Sequence, residues 1–281
     1  MIRFTKMHGV GNDFVFIDQV ANPEPVEDPA ALARRLCDRH KGVGADGLIF
    51  IERGSRAPFR MTMLNPDGSN GGMCGNGVRC AARLLIENGH QRLAPFILEV
   101  EARDVKVEPV QPDWIRVNMG NAALTRGDIG MMGAPEDTFI GATVEACGHT
   151  FTATAVSMGN PHLVIVTEDV DSVPLERIGP VLEHHPLFPF RTNVHFVQVL
   201  DRTTLKQRTW ERGAGITLAC GSGACAVGVA AFLSGKADRK AKIILPGGEL
   251  TIEYLDSGEV LMEGPAVRVF EGDWMAGLVV A

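Results

Sequence analysis

The chain has 281 residues, of which 45% are hydrophobic and 22% charged, a soluble globular balance with apolar material for two cores. Its net charge is −7 and its basic residues are scattered, so the electropositive footprint of a nucleic-acid binder is absent. The opening residues MIRFTKMHGVGNDF lack an apolar stretch long enough for a signal peptide, which makes the cytoplasm the expected compartment and reduced thiols the expected state of the six cysteines.

Short apolar or alternating runs bounded by Gly, Pro and Asp predict strands in the first half at 14–18, 48–52, 59–64, 98–102 and 114–119. An outer helix is predicted over 28–40, and an apolar helix opens after the Cys74-Gly-Asn-Gly loop. In the second half strands are predicted at 150–158, 163–167, 194–200, 206–210, 242–246, 250–255 and 259–264, with an outer helix over 173–185 and an apolar helix after Cys220-Gly-Ser-Gly. Residues 213–235 carry no charge and invite a membrane reading, but six are glycine and no second such stretch exists, so a buried helix is expected and no membrane partner. The expected fold is α/β of the α+β kind. It comprises two pseudo-symmetric domains, each of mostly antiparallel strands wrapped around a central apolar helix. The first domain is expected to cover 1–120, with 267–281 returning to it, and the second 121–266.

A repeat supports that division. Cys74 and Cys220 lie 146 residues apart in matching loops. Gly11-Asn12 and Gly159-Asn160 are 148 apart, Asp46 and Asn193 147 apart, and Asn65 and Glu211 146 apart, in the same order along the chain. Four coincidences at offsets of 146 to 148 argue for duplication of a domain-sized unit.

The cysteines carry the chemistry. None form a Cys-x-x-Cys pair, so neither a zinc site nor a thioredoxin-like site is expected, and no metal or cofactor signature is present. Cys37, Cys80 and Cys225 fall within predicted helices and read as core residues, and Cys147 as structural. Cys74 and Cys220 instead each precede Gly-x-Gly and a helix. The first N–H groups of a helix lack internal partners and carry the positive end of its dipole, so each loop can cradle a carboxylate. The same field should lower a cysteine pKa towards neutrality. Two such loops facing each other across a cleft would place an α-carbon between two sulfurs. One thiolate could remove its proton while one thiol returned a proton to the opposite face, inverting the stereocentre.

The segments MHGVGNDF, GVGADGLIF, NPDGSNGGMCGNGVRCAA, GNPHLV, FPFRTNVHFVQV, ERGAGITLACGSGACA and GPAVRVFEG resemble the diaminopimelate epimerase family, in order from Met7 to Gly272. The resemblance implies a pyridoxal-independent isomerase that interconverts L,L- and meso-diaminopimelate for lysine and peptidoglycan synthesis. It implies Cys74 and Cys220 as base and acid, and N–H groups of Gly75, Asn76, Gly221 and Ser222 on the reacting carboxylate. Asn12, Asn65, Asn160, Asn193 and Arg212 would hold the substrate's polar ends, with His162 and Glu211 beside the reacting amino group. Phe270 resembles a contact position of a homodimer. The chain departs from the pattern at Gly47, where some members have a substrate-touching glutamine, and at Ile216, where glutamate is frequent. A proline-racemase-like enzyme is the nearest alternative, although its first loop typically has histidine after Cys-Gly, where this chain has Asn76. A phenazine-pathway-type isomerase of the same fold lacks the cysteine pair. A thiol redox or binding protein is the alternative from another class.

Overall fold

The structure is a computed structural model and describes residues 1–23, 25–101 and 103–275. The chain divides into two compact units, Met1–Val117 with the segment from Gly264 onward, and Asn118–Glu263. The sequence-predicted return of 267–281 lies outside the described residues from 276 onward.

The first unit contains β1 (Ile2–Gly9), β2 (Asn12–Asp18), α1 (Pro29–Leu36), β3 (Gly47–Arg53), β4 (Phe59–Leu64), α2 (Gly75–Glu87), β5 (Phe96–Val100), β6 (Arg103–Gln111) and β7 (Trp114–Asn121). Strands β1 and β2 pair antiparallel, β2 and β3 parallel, β3 and β4 antiparallel, and β4 and β5 parallel, with β5, β6 and β7 continuing antiparallel. A parallel pair needs a crossover. The two crossovers are α1 and α2, which is why this unit has two helices of substantial length. The closing strand, Val267–Trp274, pairs antiparallel with β1.

The second unit contains α3 (Arg126–Ile129), β8 (Ala142–Ala146), β9 (His149–Ser157), β10 (Pro161–Thr167), α4 (Leu175–Glu183), β11 (Asn193–Asp201), β12 (Thr204–Glu211), β13 (Gly215–Ile216), α5 (Gly221–Leu233), β14 (Lys240–Leu245), β15 (Gly248–Tyr254) and β16 (Glu259–Pro265). Its pairing repeats the first unit's. Strands β8, β9 and β10 run antiparallel, β10–β11 parallel, β11–β12 antiparallel, β12–β14 parallel, and β14–β15–β16 antiparallel. The crossovers are α4 and α5. Strand β8 occupies the place that the closing strand takes in the first unit.

Each sheet is covered on two faces, following the period-2 alternation of strands. Val15, Ile17, Leu48 and Phe50 pack with Leu32, Ala33 and Leu36 of α1. Leu163, Ile165, Val194 and Phe196 pack with Leu175, Ile178 and Leu182 of α4. Burying each such side chain contributes roughly 1.5–3 kcal/mol. The opposite faces receive α2 and α5, which are buried along most of their length.

Local chemistry corrects several sequence expectations. Helix α1 starts under the Asp28 cap, whose Oδ1 accepts from the Ala31 N–H at 2.8 Å, but ends at Leu36 rather than 40. Asp38 Oδ1 accepts from the N–H groups of His40 and Lys41 at 2.8 and 2.9 Å, which competes with helical bonding. Cys37 is therefore the buried C-cap, not an interior helical residue. Cys147 sits with Gly148 in the β8–β9 turn, both at positive φ (53° and 77°). The central helix α2 is not wholly apolar: Arg79 is fully buried, and Arg79 Nε and Arg83 Nη1 donate to the carbonyls of Pro265 and Ala266. In the uncharged 213–235 stretch only Gly221–Leu233 is helical. Thirteen residues rise about 20 Å, short of the ~30 Å hydrocarbon core of a bilayer. Among the described residues no helix is long and apolar enough to cross a membrane.

Candidate active site

In the first unit the β1–β2 turn brings Asn12 to the start of α2. Val10 and Gly11 occupy this turn with φ of 50° and 87°. A β-branched residue at positive φ is strained, and here it is held by burial at 2% exposure. Asn12 Nδ2 donates to Asp46 Oδ2 at 2.7 Å, which fixes the amide so that Oδ1 accepts from Asn76 Nδ2 at 3.1 Å and faces Cys74 Sγ at 3.7 Å. Asp46 is itself held by Arg39, which also binds Asp13. Lys6, Arg39 and the Asp46 contact hold the Asp13 carboxyl down at about 2 despite its burial.

Cys74 is the N-cap of α2, with φ −122° and ψ 110°, and its sulfur accepts from the Gly77 N–H at 3.5 Å. A sulfur here does what Ser or Asp usually does at this position. Gly75 and Asn76 form the buried first turn, and among the described residues Asn76 Oδ1 has no partner. Asn65 is half-buried, with Nδ2 donating to Ser69 Oγ at 3.0 Å and the Asn70 carbonyl at 3.2 Å. A side chain at Gly47 would meet Met63 Cε at 2.9 Å and the Leu64 carbonyl at 3.0 Å, so Met63 would have to move to admit one.

In the second unit Cys220 is the N-cap of α5 with nearly the same backbone angles, φ −126° and ψ 104°. Its environment is different. Cys220 is 5% exposed, whereas Cys74 is half-buried. Burial, then the Glu211 carboxylate, push the Cys220 thiol well above its ordinary range, against the opposing pull of the Gly223 N–H and the Ser222 hydroxyl. The expectation that the helix end lowers the cysteine pKa thus fails at Cys220, because desolvation and a like charge outweigh the dipole. Cys37 and Cys80 are pushed by burial to about 11 and about 12, as suits inert core thiols.

Glu211 ends β12 and accepts a hydrogen bond from the Thr217 hydroxyl. His162 is fully buried: its Nε2 is 2.9 Å from Asn160 Oδ1 and its Nδ1 2.9 Å from His195 Nε2. Asn193 Oδ1 accepts from the Arg212 N–H at 3.0 Å, and its Nδ2 donates to the Pro161 carbonyl at 2.9 Å. Asn193 therefore ties loops together. Register also pairs it with Gly47 rather than Asp46 as its repeat counterpart, because His162 opposes Asn193 as Phe14 opposes Gly47. Arg212 is exposed and donates from Nη1 to the Phe190 carbonyl at 3.2 Å. Phe270 is not a core residue: it is 47% exposed on the closing strand, edge-on to Phe4.

Sequence reasoning missed His195, which packs against Gly223 of the Cys220 loop, and Thr209 and Gln207, which hydrogen-bond behind it. His195 had a signal, since it stands two residues after Asn193 and so on the same strand face. Its repeat counterpart, Ile49, hid it by being ordinary core. Among the described residues no group of His, Cys, Asp or Glu converges as a metal site.

A family model described as diaminopimelate epimerase matches residues 4–125 and 154–269. The chain is 46% identical over 277 residues to the diaminopimelate epimerase of Acetivibrio thermocellus, covering 97% of this chain and 98% of that protein. It is 47% identical over 276 residues to diaminopimelate epimerase 1 of a Nostoc species, covering 96% and 99%. Among solved structures it is similar to a Bacillus anthracis phenazine biosynthesis protein of the PhzF family, with a TM-score of 0.71 at 16% identity over 98% of this chain and 99% of that one. That likeness is one of fold alone.

Proposed function

The chain belongs to the diaminopimelate epimerase family, and from that premise we propose that it interconverts L,L- and meso-2,6-diaminopimelate, a step of lysine and peptidoglycan precursor synthesis, using Cys74 and Cys220 on opposite faces of one α-carbon. The duplicated thiol carries this reading: each unit places one sulfur at the N-cap of a Gly-x-Gly helix start with matching backbone angles. A thiolate takes the α-proton, the carbon's electron pair spreads into the adjacent carboxylate, and the opposite thiol delivers its proton to the other face. The helix-end N–H groups of Gly75, Asn76, Gly221 and Ser222 stabilise the charge that develops on that carboxylate.

The asymmetry between the thiols supports an assignment. Cys220, buried beside Glu211, starts as the thiol and acts as acid in the direction in which Cys74 is the base, and the two exchange roles in the reverse direction. In the first unit the position matching Glu211 is the neutral Asn65. Cys74 can serve in both protonation states: the Gly77 N–H favours the thiolate, and Asn12 Oδ1 accepts from the thiol. Asn65, Asn160 and Arg212 supply the polar groups for the distal amino-carboxylate, and the unpartnered Asn76 Oδ1 suits a substrate ammonium. The free thiols suit a reducing cytoplasm. Exposed Val269 and Phe270 on the closing strand suit a homodimer contact.

Incubation with L,L-diaminopimelate in D₂O tests the reaction. Deuterium should enter one α-carbon as the meso form appears, and Cys74→Ala and Cys220→Ala should each abolish the conversion. Unchanged substrate with reduced, folded protein overturns the proposal, and inversion of proline instead supports the racemase alternative.

A further inference from the structure

The second unit carries a string of buried polar side chains where the first carries apolar ones. His162, His195, Thr209 and Gln207 lie on β10, β11 and β12 at exposures of 0, 0, 3 and 1%. The strand registers give their counterparts. His195 opposes Thr209 as Ile49 opposes Met63, Val197 opposes Gln207 as Ile51 opposes Met61, and His162 matches Phe14. Phe14, Ile49, Met61 and Met63 are all buried. The fold therefore accepts an apolar core at these places. Four buried polar residues cost desolvation that their hydrogen bonds offset only in part, since Gln207 Oε1 has no partner among the described residues, which points to a task for the string.

The string has one direction. Gln207 Nε2 donates to Thr209 Oγ1 at 2.8 Å and stands 3.2 Å from His195 Nδ1. Thr209 Oγ1 is 2.9 Å from the same Nδ1. His195 Nε2 then meets His162 Nδ1, and His162 Nε2 meets Asn160 Oδ1, each at 2.9 Å. A carbonyl oxygen only accepts, so His162 carries its proton on Nε2 and accepts at Nδ1. His195 must therefore donate from Nε2 and accept at Nδ1, where a hydroxyl and an amide N–H both face it. The opposite tautomer would set the His195 Nδ1–H against the Gln207 N–H. Burial keeps both rings neutral, with His195 lowered to about 3 and His162 well below its usual value, the latter also through His195 and Arg212.

His195 also floors the Cys220 loop. A Cβ on Gly223 would lie 2.3 Å from His195 Cε1 and 2.9 Å from Cys220 Sγ. In the first unit a Cβ on the matching Gly77 would be nearest the flexible end of Ile49, at 2.9 Å, with Cys74 Sγ at an ordinary 3.8 Å.

We propose that His195 is a positioning residue: through the Nε2–H tautomer it imposes on His162, it engages the Asn160 carbonyl from behind and commits the Asn160 amide N–H₂ to a carboxylate oxygen of the substrate. The proposal rests on the epimerase reading for its substrate, and its hydrogen-bond direction is measurable without turnover. In full-length protein labelled with ¹⁵N-histidine, two-bond ¹H–¹⁵N correlation should show both rings protonated at Nε2 and bare at Nδ1, without titration across neutral pH. A protonated Nδ1 on either ring, or titration near the ordinary histidine value, overturns it.

Steady-state kinetics supply the second arm. His195→Phe keeps ring volume without a donor, and should raise KM for diaminopimelate about tenfold or more, the scale of a lost hydrogen bond to a charged group. His195→Gln, whose amide can still donate to His162 Nδ1, should recover most of that loss. A His195→Phe KM equal to that of wild type overturns the inference and leaves the epimerase reading intact. Wild-type protein inert towards diaminopimelate sinks that reading instead, while the spectrum still reports on the string. If His195→Phe does not fold, the wild-type spectrum and the His195→Gln KM decide.

Discussion

Acidification should destabilise the second unit through His162 and His195, and the size of the effect follows from their burial. Both rings are fully buried and held neutral, with folded-state values lowered from 6.5, to about 3 for His195. A depressed folded value means that the stabilising contribution is present above the unfolded value of ~6.5 and is lost as pH falls towards the folded one. Between about pH 7 and about pH 5 the unfolded His195 ring takes up about three quarters of a proton while the folded ring takes up almost none, a loss of about 2 kcal/mol, and His162 acts in the same direction. Urea unfolding at both pH values, compared between wild type and His195→Gln, isolates one ring because the carboxylates are common to both proteins. The variant should lose about 2 kcal/mol less stability on acidification. Equal acid sensitivity in the two proteins would refute the assignment of a buried neutral ring.

Three other outcomes follow from the geometry. Gly223→Ala should destabilise by about 1–3 kcal/mol and more than Gly77→Ala, since its new Cβ meets a fixed imidazole at 2.3 Å rather than a movable methyl at 2.9 Å; chemical denaturation of both variants makes the comparison. Glu211→Gln should move Cys220 ionisation to lower pH, yet leave it above the ordinary thiol value because burial is the larger cause; ultraviolet thiolate titration in a Cys74→Ser background reads it, and an unchanged midpoint would separate Glu211 from the thiol. Phe270→Asp should give a monomer by light scattering if the closing strand is the homodimer contact, and an unchanged particle mass would move that contact elsewhere.

Much of this protein was legible from local spacing. The strand runs, the two Gly-x-Gly helix starts and the 146-residue offset all depend on residues near one another in the chain, so the repeat and both thiol loops could be read directly. Strand β1 was missed because the consecutive polar residues Thr5 and Lys6 interrupt the apolar alternation of IRFTKMHG, and Lys6 is buried only because Asp13 and the Gly44 carbonyl receive its ammonium. The closing strand's pairing, like the two hydrogen bonds that hold the Asn193 amide, depends on partners far away in sequence.

By itself the sequence determined the repeat and the two matching cysteine loops, because periodicity and helix-start chemistry are short-range properties. Only the tertiary structure decided that burial and Glu211 push the Cys220 thiol up, that a side chain at Gly47 would crowd Met63 and the Leu64 carbonyl, and that His162 is backed by His195. Desolvation, charge proximity and hydrogen-bond direction are set by through-space distance, which two loops with nearly the same sequence do not share once one packs over Ile49 and the other over an imidazole.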